Sequence, residues 1–250
     1  ARMIPGFSFG ATPPRIVRKF QGVIRERFPE CDPYKKVKDQ SNRRAMELYP
    51  QLKVKVAQAD DPLLTALELA IAGNVIDYAA KNNLNIEKEI QTILTGSFGD
   101  EEKKVFEYDV FRKELAEAKT ILYLADNAGE IVFDRVLIEE LCKTHAVTVA
   151  VRDRPILNDA LMADAVFCGL DKVAQIVSSG VDAPGTVLEY CSDDFLKIFN
   201  EADMVISKGQ GNYEALSEAQ REIYFLFKVK CPVIARHSGA GLGDLVLKRI

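Results

Sequence analysis

The chain has 250 residues, 48% of them hydrophobic and 28% charged, with a formal net charge of −4. That length allows one large domain or two modest ones, and the slightly acidic balance excludes a global basic field that would recruit nucleic acid or an anionic membrane. No apolar run reaches the roughly 20 residues needed to cross a bilayer, and Ala1-Arg2-Met3-Ile4-Pro5-Gly6 has no signal-peptide core, so the expectation is a cytoplasmic protein with no membrane and no nucleic-acid partner.

The first half reads helical. Thr12-Pro13-Pro14 starts a helix, because proline suits the first turn, and 15–28 carries it. Asp32-Pro33 opens a second segment with Tyr34, Val37, Ala45, Met46 and Leu48 available for one face. Asp61-Pro62 starts a third, 63–80, whose apolar residues fall nearly all round, as in a helix buried within a bundle. Within it Asn74 and Asp77 are polar and share a face, which suits either a hydrogen bond to a neighbouring element or a ligand contact from Asn74. A weaker amphipathic stretch follows at 86–94, a loop at 95–100 and a helix at 109–118.

From Thr120 the texture changes. Short apolar runs at 121–124, 147–151, 175–178, 204–207 and 233–235, with a further candidate at 224–227, alternate with helical patterns at 130–143, 159–167, 193–201 and 213–219. Alternation of this kind predicts a parallel sheet covered on both faces. The expected organisation is a helical domain at 1–118 and an α/β domain at 119–250. The five cysteines, Cys31, Cys142, Cys168, Cys191 and Cys231, show no C-x-x-C spacing and read as reduced thiols. Neither His145 nor His237 neighbours a cysteine pair, so a zinc site is not expected.

Polar residues that close parallel strands cluster along one edge of a sheet. Here the first strand closes on Asp126-Asn127 and leads through Ala128-Gly129-Glu130 into a helix. The second closes on Arg152-Asp153-Arg154, with Asn158-Asp159 ahead of the next helix, and the fourth closes on Lys208-Gly209-Gln210-Gly211-Asn212. Oxygen donors of this type suit a hard divalent cation. Lysine and arginine suit a phosphoryl group, and backbone N–H groups near glycine let an anion approach closely. Each piece alone also fits a plain cap or turn; together they supply complementary chemistry. The chain has no G-x-x-x-x-G-K-[ST], no G-x-G-x-x-G and no H-E-x-x-H.

With these residues in place the chain resembles the DUF89 family of metal-dependent damage-control phosphatases, most closely its compact prokaryotic and archaeal branch. The resemblance runs through Phe7-Ser8-Phe9-Gly10-Ala11-Thr12-Pro13, Asp32-Pro33-Tyr34, Ala72-Gly73-Asn74-Val75-Ile76-Asp77, Asp126-Asn127-Ala128-Gly129-Glu130, Asn158-Asp159-Ala160 and Lys208-Gly209-Gln210-Gly211-Asn212-Tyr213. Two departures are the lack of C-x-x-C near the N-terminus and Gln210 where eukaryotic members carry an acid. The resemblance implies a three-layer α/β/α domain with a mostly parallel sheet, plus an N-terminal helical array. It implies a divalent metal (Mn, Co, Ni or Mg) on Asp126, Asn127 and Asp159, and hydrolysis of a small phosphorylated metabolite such as a sugar phosphate. Lys208 would contact the substrate phosphate, joined by Asn74, Gly129, Glu130, Arg152, Gly209 and Asn212 around the substrate. The rival readings are an S-adenosylmethionine methyltransferase, which the missing further glycines disfavour, and a non-enzymatic regulator binding a phosphometabolite in the same crevice.

Overall fold

The computed structural model describes residues 12–29, 31–73, 93 and 99–250. Among the described residues three helices come first, α1 (Pro13–Arg27), α2 (Lys35–Ala57) and α3 (Pro62–Ala72). Prolines open α1 and α3, where the missing N–H would be unpaired in any case, and Asp61 caps α3 by accepting from Leu64 N at 3.0 Å. The rest alternates: β1 (Val105–Phe106), α4 (Tyr108–Leu115), β2 (Thr120–Leu124), α5 (Glu130–Leu141), β3 (Ala146–Val151), α6 (Met162–Phe167) and β4 (Gln175–Ser178). It continues through α7 (Asp193–Glu201), β5 (Met204–Lys208), α8 (Gln210–Leu216), β6 (Tyr224–Lys228), α9 (Pro232–Ser238) and β7 (Leu245–Arg249).

The strands form a seven-stranded sheet in the order β1-β7-β6-β5-β2-β3-β4, parallel throughout except for the β6–β7 pair. Alternate residues of a strand point to opposite faces, and both faces are covered. Ile121 and Tyr123 pack with residues of α2, α3 and α5 on one side. Leu122 and Leu124 pack with Phe195, Phe199, Tyr213, Leu216 and Ile234 of α7, α8 and α9 on the other. This is the expected α/β/α layering with a mostly parallel sheet. Residues of α2 and α3 share one apolar cluster with β2, β3, β5 and β6, and β1 enters the sheet edge from within the segment expected to be helical. No described helix is long and apolar enough to cross a membrane.

Three expectations are corrected. The run 233–235 is not a strand: Pro232 starts α9 there, and the strand that closes this edge is β7, paired antiparallel with β6. A short Val-Ile run fits a helix turn as well as a strand, and the preceding proline favours the helix. The helix expected from residue 159 begins only at Met162, leaving Asp159 in the preceding loop. The helix expected at 213–219 is Gln210–Leu216. The expected stretch at 86–94, except Ile93, and most of the loop at 95–100 lie outside the described residues.

β2 leads to β3 on one side, while β5 flanks it on the other. Chain direction across the sheet reverses between them, and a crevice opens at such a switch point beyond the carboxyl ends of the strands. Asp126 and Lys208 stand at those two ends.

Candidate active site

The loops after β2 and β3 are laced together by their backbones. Ala160 N donates to Asp126 O at 2.8 Å, Ala128 N donates to Asn158 O at 2.9 Å, and Asn127 and Asp159 form an antiparallel bridge. This lacing brings the side chains of Asp126, Asn127 and Asp159 to one place. The second loop turns through Leu157, the one non-glycine residue with positive φ (46°) among the described residues, and Asp159 N closes the turn on Ile156 O at 3.1 Å. A bulky residue in the left-handed region is strained, so the loop that delivers Asp159 is held in shape by its surroundings.

Asn127 Nδ2 donates both to Asp126 Oδ2 and to Glu130 Oε1, each at 3.0 Å. Its Oδ1 carries no hydrogen bond among the described residues. Gly209, with φ at 82°, lets the β5 end pass directly against Asp126: a Cβ there would lie 2.0 Å from Asp126 Oδ2. All four acid and amide residues are buried, Glu130 to 1% and Asp159 to 3% exposure.

Burial pushes the Asp126 carboxyl well above the usual carboxylate range, and the neighbouring Glu130 and Asp159 push it further, against Lys230 and Arg152. Burial also raises Asp159, with the Arg152 ion pair pulling the other way. Three mutually repelling acids in a buried pocket are an arrangement that a divalent cation would relieve. Among the described residues no three His, Cys, Asp or Glu side chains form a ready cage. The donor set that fits is therefore two carboxylates, Asp126 and Asp159, with the amide oxygen of Asn127, an all-oxygen set matched to a hard ion.

Several residues expected to face substrate point into the protein instead. Arg152, expected as a phosphate partner, donates from Nε to Asp159 Oδ2 at 2.7 Å, from Nη1 to Thr186 Oγ1 at 3.0 Å and from Nη2 to Asn212 Oδ1 at 3.0 Å. Its role here is to aim Asp159. Asn212 is fully buried and ties strand ends together, donating to Lys208 O at 2.7 Å and Ala125 O at 3.3 Å while accepting from Thr186 N at 2.7 Å. The Gly129 N–H, expected for an anion, donates to Asn42 Oδ1 at 2.7 Å. Lys208 Nζ donates to Ala70 O at 2.8 Å and Asp134 Oδ1 at 2.6 Å, and Tyr123 OH donates to the same Asp134 oxygen at 2.9 Å. Burial alone would lower Lys208, but the carboxylates of Asp134, Glu130 and Asp126 raise it, so it is a fixed positive charge behind the acids. Asn74 and Asp77 lie outside the described residues.

Sequence reasoning missed Asn42, Lys38, Asp164, Asp134 and Lys230. Lys230 follows β6, is exposed and acts on Asp126 as an opposing charge. The signal lies in 224–227: β6 is parallel to β5, so its closing residues stand at the same sheet edge as Lys208.

A family model described as the damage-control phosphatase ARMT1-like domain matches residues 2–246 of this chain. An uncharacterized protein of Methanocaldococcus jannaschii is 42% identical over 225 residues, 86% of this chain and 73% of that protein. A damage-control phosphatase of Archaeoglobus fulgidus is 37% identical over 220 residues, 87% of this chain and 75% of that protein. The crystal structure of a DUF89 family protein from Pyrococcus horikoshii superposes with a TM-score of 0.75 at 33% identity, covering 87% of this chain and 75% of that one.

Proposed function

This chain belongs to the damage-control phosphatase ARMT1-like family, and from that membership we propose that it hydrolyses phosphomonoesters of small metabolites with a divalent cation held by Asp126, Asn127 and Asp159. The observation that carries the metal assignment is the buried group of Asp126, Glu130 and Asp159 at the sheet's switch point, where the charge of Glu130 raises both aspartates. When bound, a divalent cation supplies positive charge against a phosphoryl group and lowers the pKa of water.

The chain's own residues do the rest. Arg152 fixes the direction of Asp159 through Nε. Asn127 Nδ2 holds Asp126 and Glu130 in one orientation. Lys208, held by Asp134 and Ala70, adds a fixed charge beneath the acids. Lys230, exposed after β6 and acting on Asp126 as an opposing charge, would draw in a dianionic phosphate.

The test is hydrolysis of p-nitrophenyl phosphate and a panel of sugar phosphates with Mn²⁺, Co²⁺, Ni²⁺ or Mg²⁺. Activity that persists in Asp126→Ala would overturn the ligand assignment. Lys230→Ala is expected to raise KM by about tenfold, the loss of one charge-assisted contact of about 1.5 kcal/mol, with a smaller change in kcat. An unchanged KM would remove Lys230 from the substrate site.

A further inference from the structure

The turn that carries Asp126 and Asn127 is gripped from the far side by a buried polar chain in the helical layer. Asn42, on α2 and only 2% exposed, accepts from Gly129 N at 2.7 Å and donates from Nδ2 to Asp164 Oδ1 at 2.8 Å. Asp164, on α6, also accepts from Leu161 N at 2.9 Å through Oδ2 and lies 3.6 Å from Lys38 Nζ. Lys38, 3% exposed, is held by Asp32 Oδ2 at 2.7 Å, and Asp32 Oδ1 accepts from Tyr34 N at 2.9 Å. So the Asp32-Pro33-Tyr34 motif, α2 and α6 all converge on one backbone N–H, that of Gly129.

Gly129 has φ at 82° and sits between Asn127 and Glu130. Its N–H direction sets the path of the turn, and the turn sets where Asn127 and Glu130 aim. Asn42 is the only side chain in this chain of contacts that can serve both ends, because its amide is an acceptor toward Gly129 and a donor toward Asp164. Buried polar groups that are all satisfied make a rigid, uniquely specified unit. We propose that Asn42 is a positioning residue for the proposed reaction, acting through Gly129 on the metal-binding turn, and that Lys38 and Asp164 hold Asn42 in its working orientation. This rests on the reading that Asp126, Asn127 and Asp159 bind a divalent cation.

Asn42 and Asp164 also line a cleft of about 510 Å³, so side chains changed there are not wedged into solid core. The experiment compares wild type, Asn42→Ala, Asn42→Asp and the double variant Asn42→Asp/Asp164→Asn, each checked by thermal melting. Asn42→Asp keeps the acceptor for Gly129 but sets a carboxylate against Asp164. The double variant restores a donor–acceptor pair with the roles exchanged, while the amide oxygen at 164 can still accept from Leu161 N.

Supporting groups of metal ligands typically contribute 10–100-fold in affinity or activity. Mn²⁺ affinity measured by calorimetry is expected to fall about tenfold or more in both single variants and to recover to within about threefold in the double variant. At saturating Mn²⁺, kcat should fall while KM stays within about twofold. Amide exchange in segment 126–132, measured without metal or substrate, should speed up about tenfold in Asn42→Ala as the Gly129 hydrogen bond is lost. Folded single variants with wild-type Mn²⁺ affinity and wild-type exchange would overturn the proposal, and so would a double variant no better than Asn42→Asp. If wild type neither binds a divalent cation nor cleaves a phosphomonoester, the proposed function falls, and with it any catalytic role for Asn42; accelerated exchange in Asn42→Ala would then establish only the grip on Gly129.

Discussion

Gly209→Ala is the sharpest test of how the site is built. Gly209 combines φ of 82° with ψ of 157°, a backbone region that only glycine occupies readily. An added Cβ would lie 2.0 Å from Asp126 Oδ2, 2.3 Å from its Cγ and 2.9 Å from its Cβ, whereas real Cβ contacts essentially never fall under 3.0 Å. The Asp126 carboxylate must therefore retreat by about 1 Å, the difference between the 3.0 Å floor and the 2.0 Å contact. It cannot do so freely, because Asn127 Nδ2 holds it on one side and Ala160 N holds its backbone on the other. A misplacement of about 1 Å in a reacting group costs on the order of 100-fold in rate, or about 2.7 kcal/mol. The backbone strain adds about 1–3 kcal/mol of destabilisation. The assay is kcat/KM for p-nitrophenyl phosphate at saturating Mn²⁺, alongside a Mn²⁺ titration and a melting curve. A Gly209→Ala enzyme with wild-type turnover and wild-type Mn²⁺ affinity would refute the proposed role of Asp126 as a metal ligand.

Metal and proton should compete at the same acids. Asp126 and Asp159 are raised in the folded chain, so their contribution to stability is fully present below the ordinary carboxylate pKa of about 4 and is lost as pH rises through their raised values. In chelator the melting temperature should therefore fall as pH climbs from that range toward neutrality, more steeply in wild type than in Asp126→Asn, and Mn²⁺ should lessen the fall; a wild-type slope matching that of Asp126→Asn would contradict the shift. Lys208→Met leaves the fully buried Asp134 carboxylate without its cation and is expected to cost about 3–5 kcal/mol, a drop of about 2–4 °C in Tm per kcal/mol for a chain of this size, read by calorimetry. Asp61→Ala removes both the α3 cap and the acceptor for Tyr108 OH, which is bonded to Asp61 at 2.8 and 2.7 Å; a loss of about 1–2 kcal/mol with kcat unchanged is the expected result, since the residue stands away from the Asp126 turn.

Local pattern was enough to place most strands and the acid-amide pair after β2. Strand and helix periods are properties of neighbouring residues, and a parallel alternation puts strand ends at one edge whatever the order of strands. Gln175–Ser178 and Asp193–Glu201 match the expected bounds, because turn and cap residues bracket them. The run 233–235 misled, since three apolar residues carry no period of their own. β7 was missed because its pairing partner, β6, is what makes Leu245–Arg249 a strand.

Roles within the site divide in the same way. Residue type and strand-end position marked Asp126, Asn127, Asp159, Arg152 and Lys208 as chemical groups of one region. Whether each group faces the crevice or the interior depends on partners far away in the chain: Lys208 turns to Ala70 and Asp134, Arg152 to Thr186 and Asn212, and the Gly129 N–H to Asn42, 87 residues earlier. Such directions follow from which buried donor meets which acceptor once the layers close, since an unpaired polar group inside is costly. Sequence sufficed for the kinds of atoms gathered at the switch point, and packing selected which of them turn to partners in the interior.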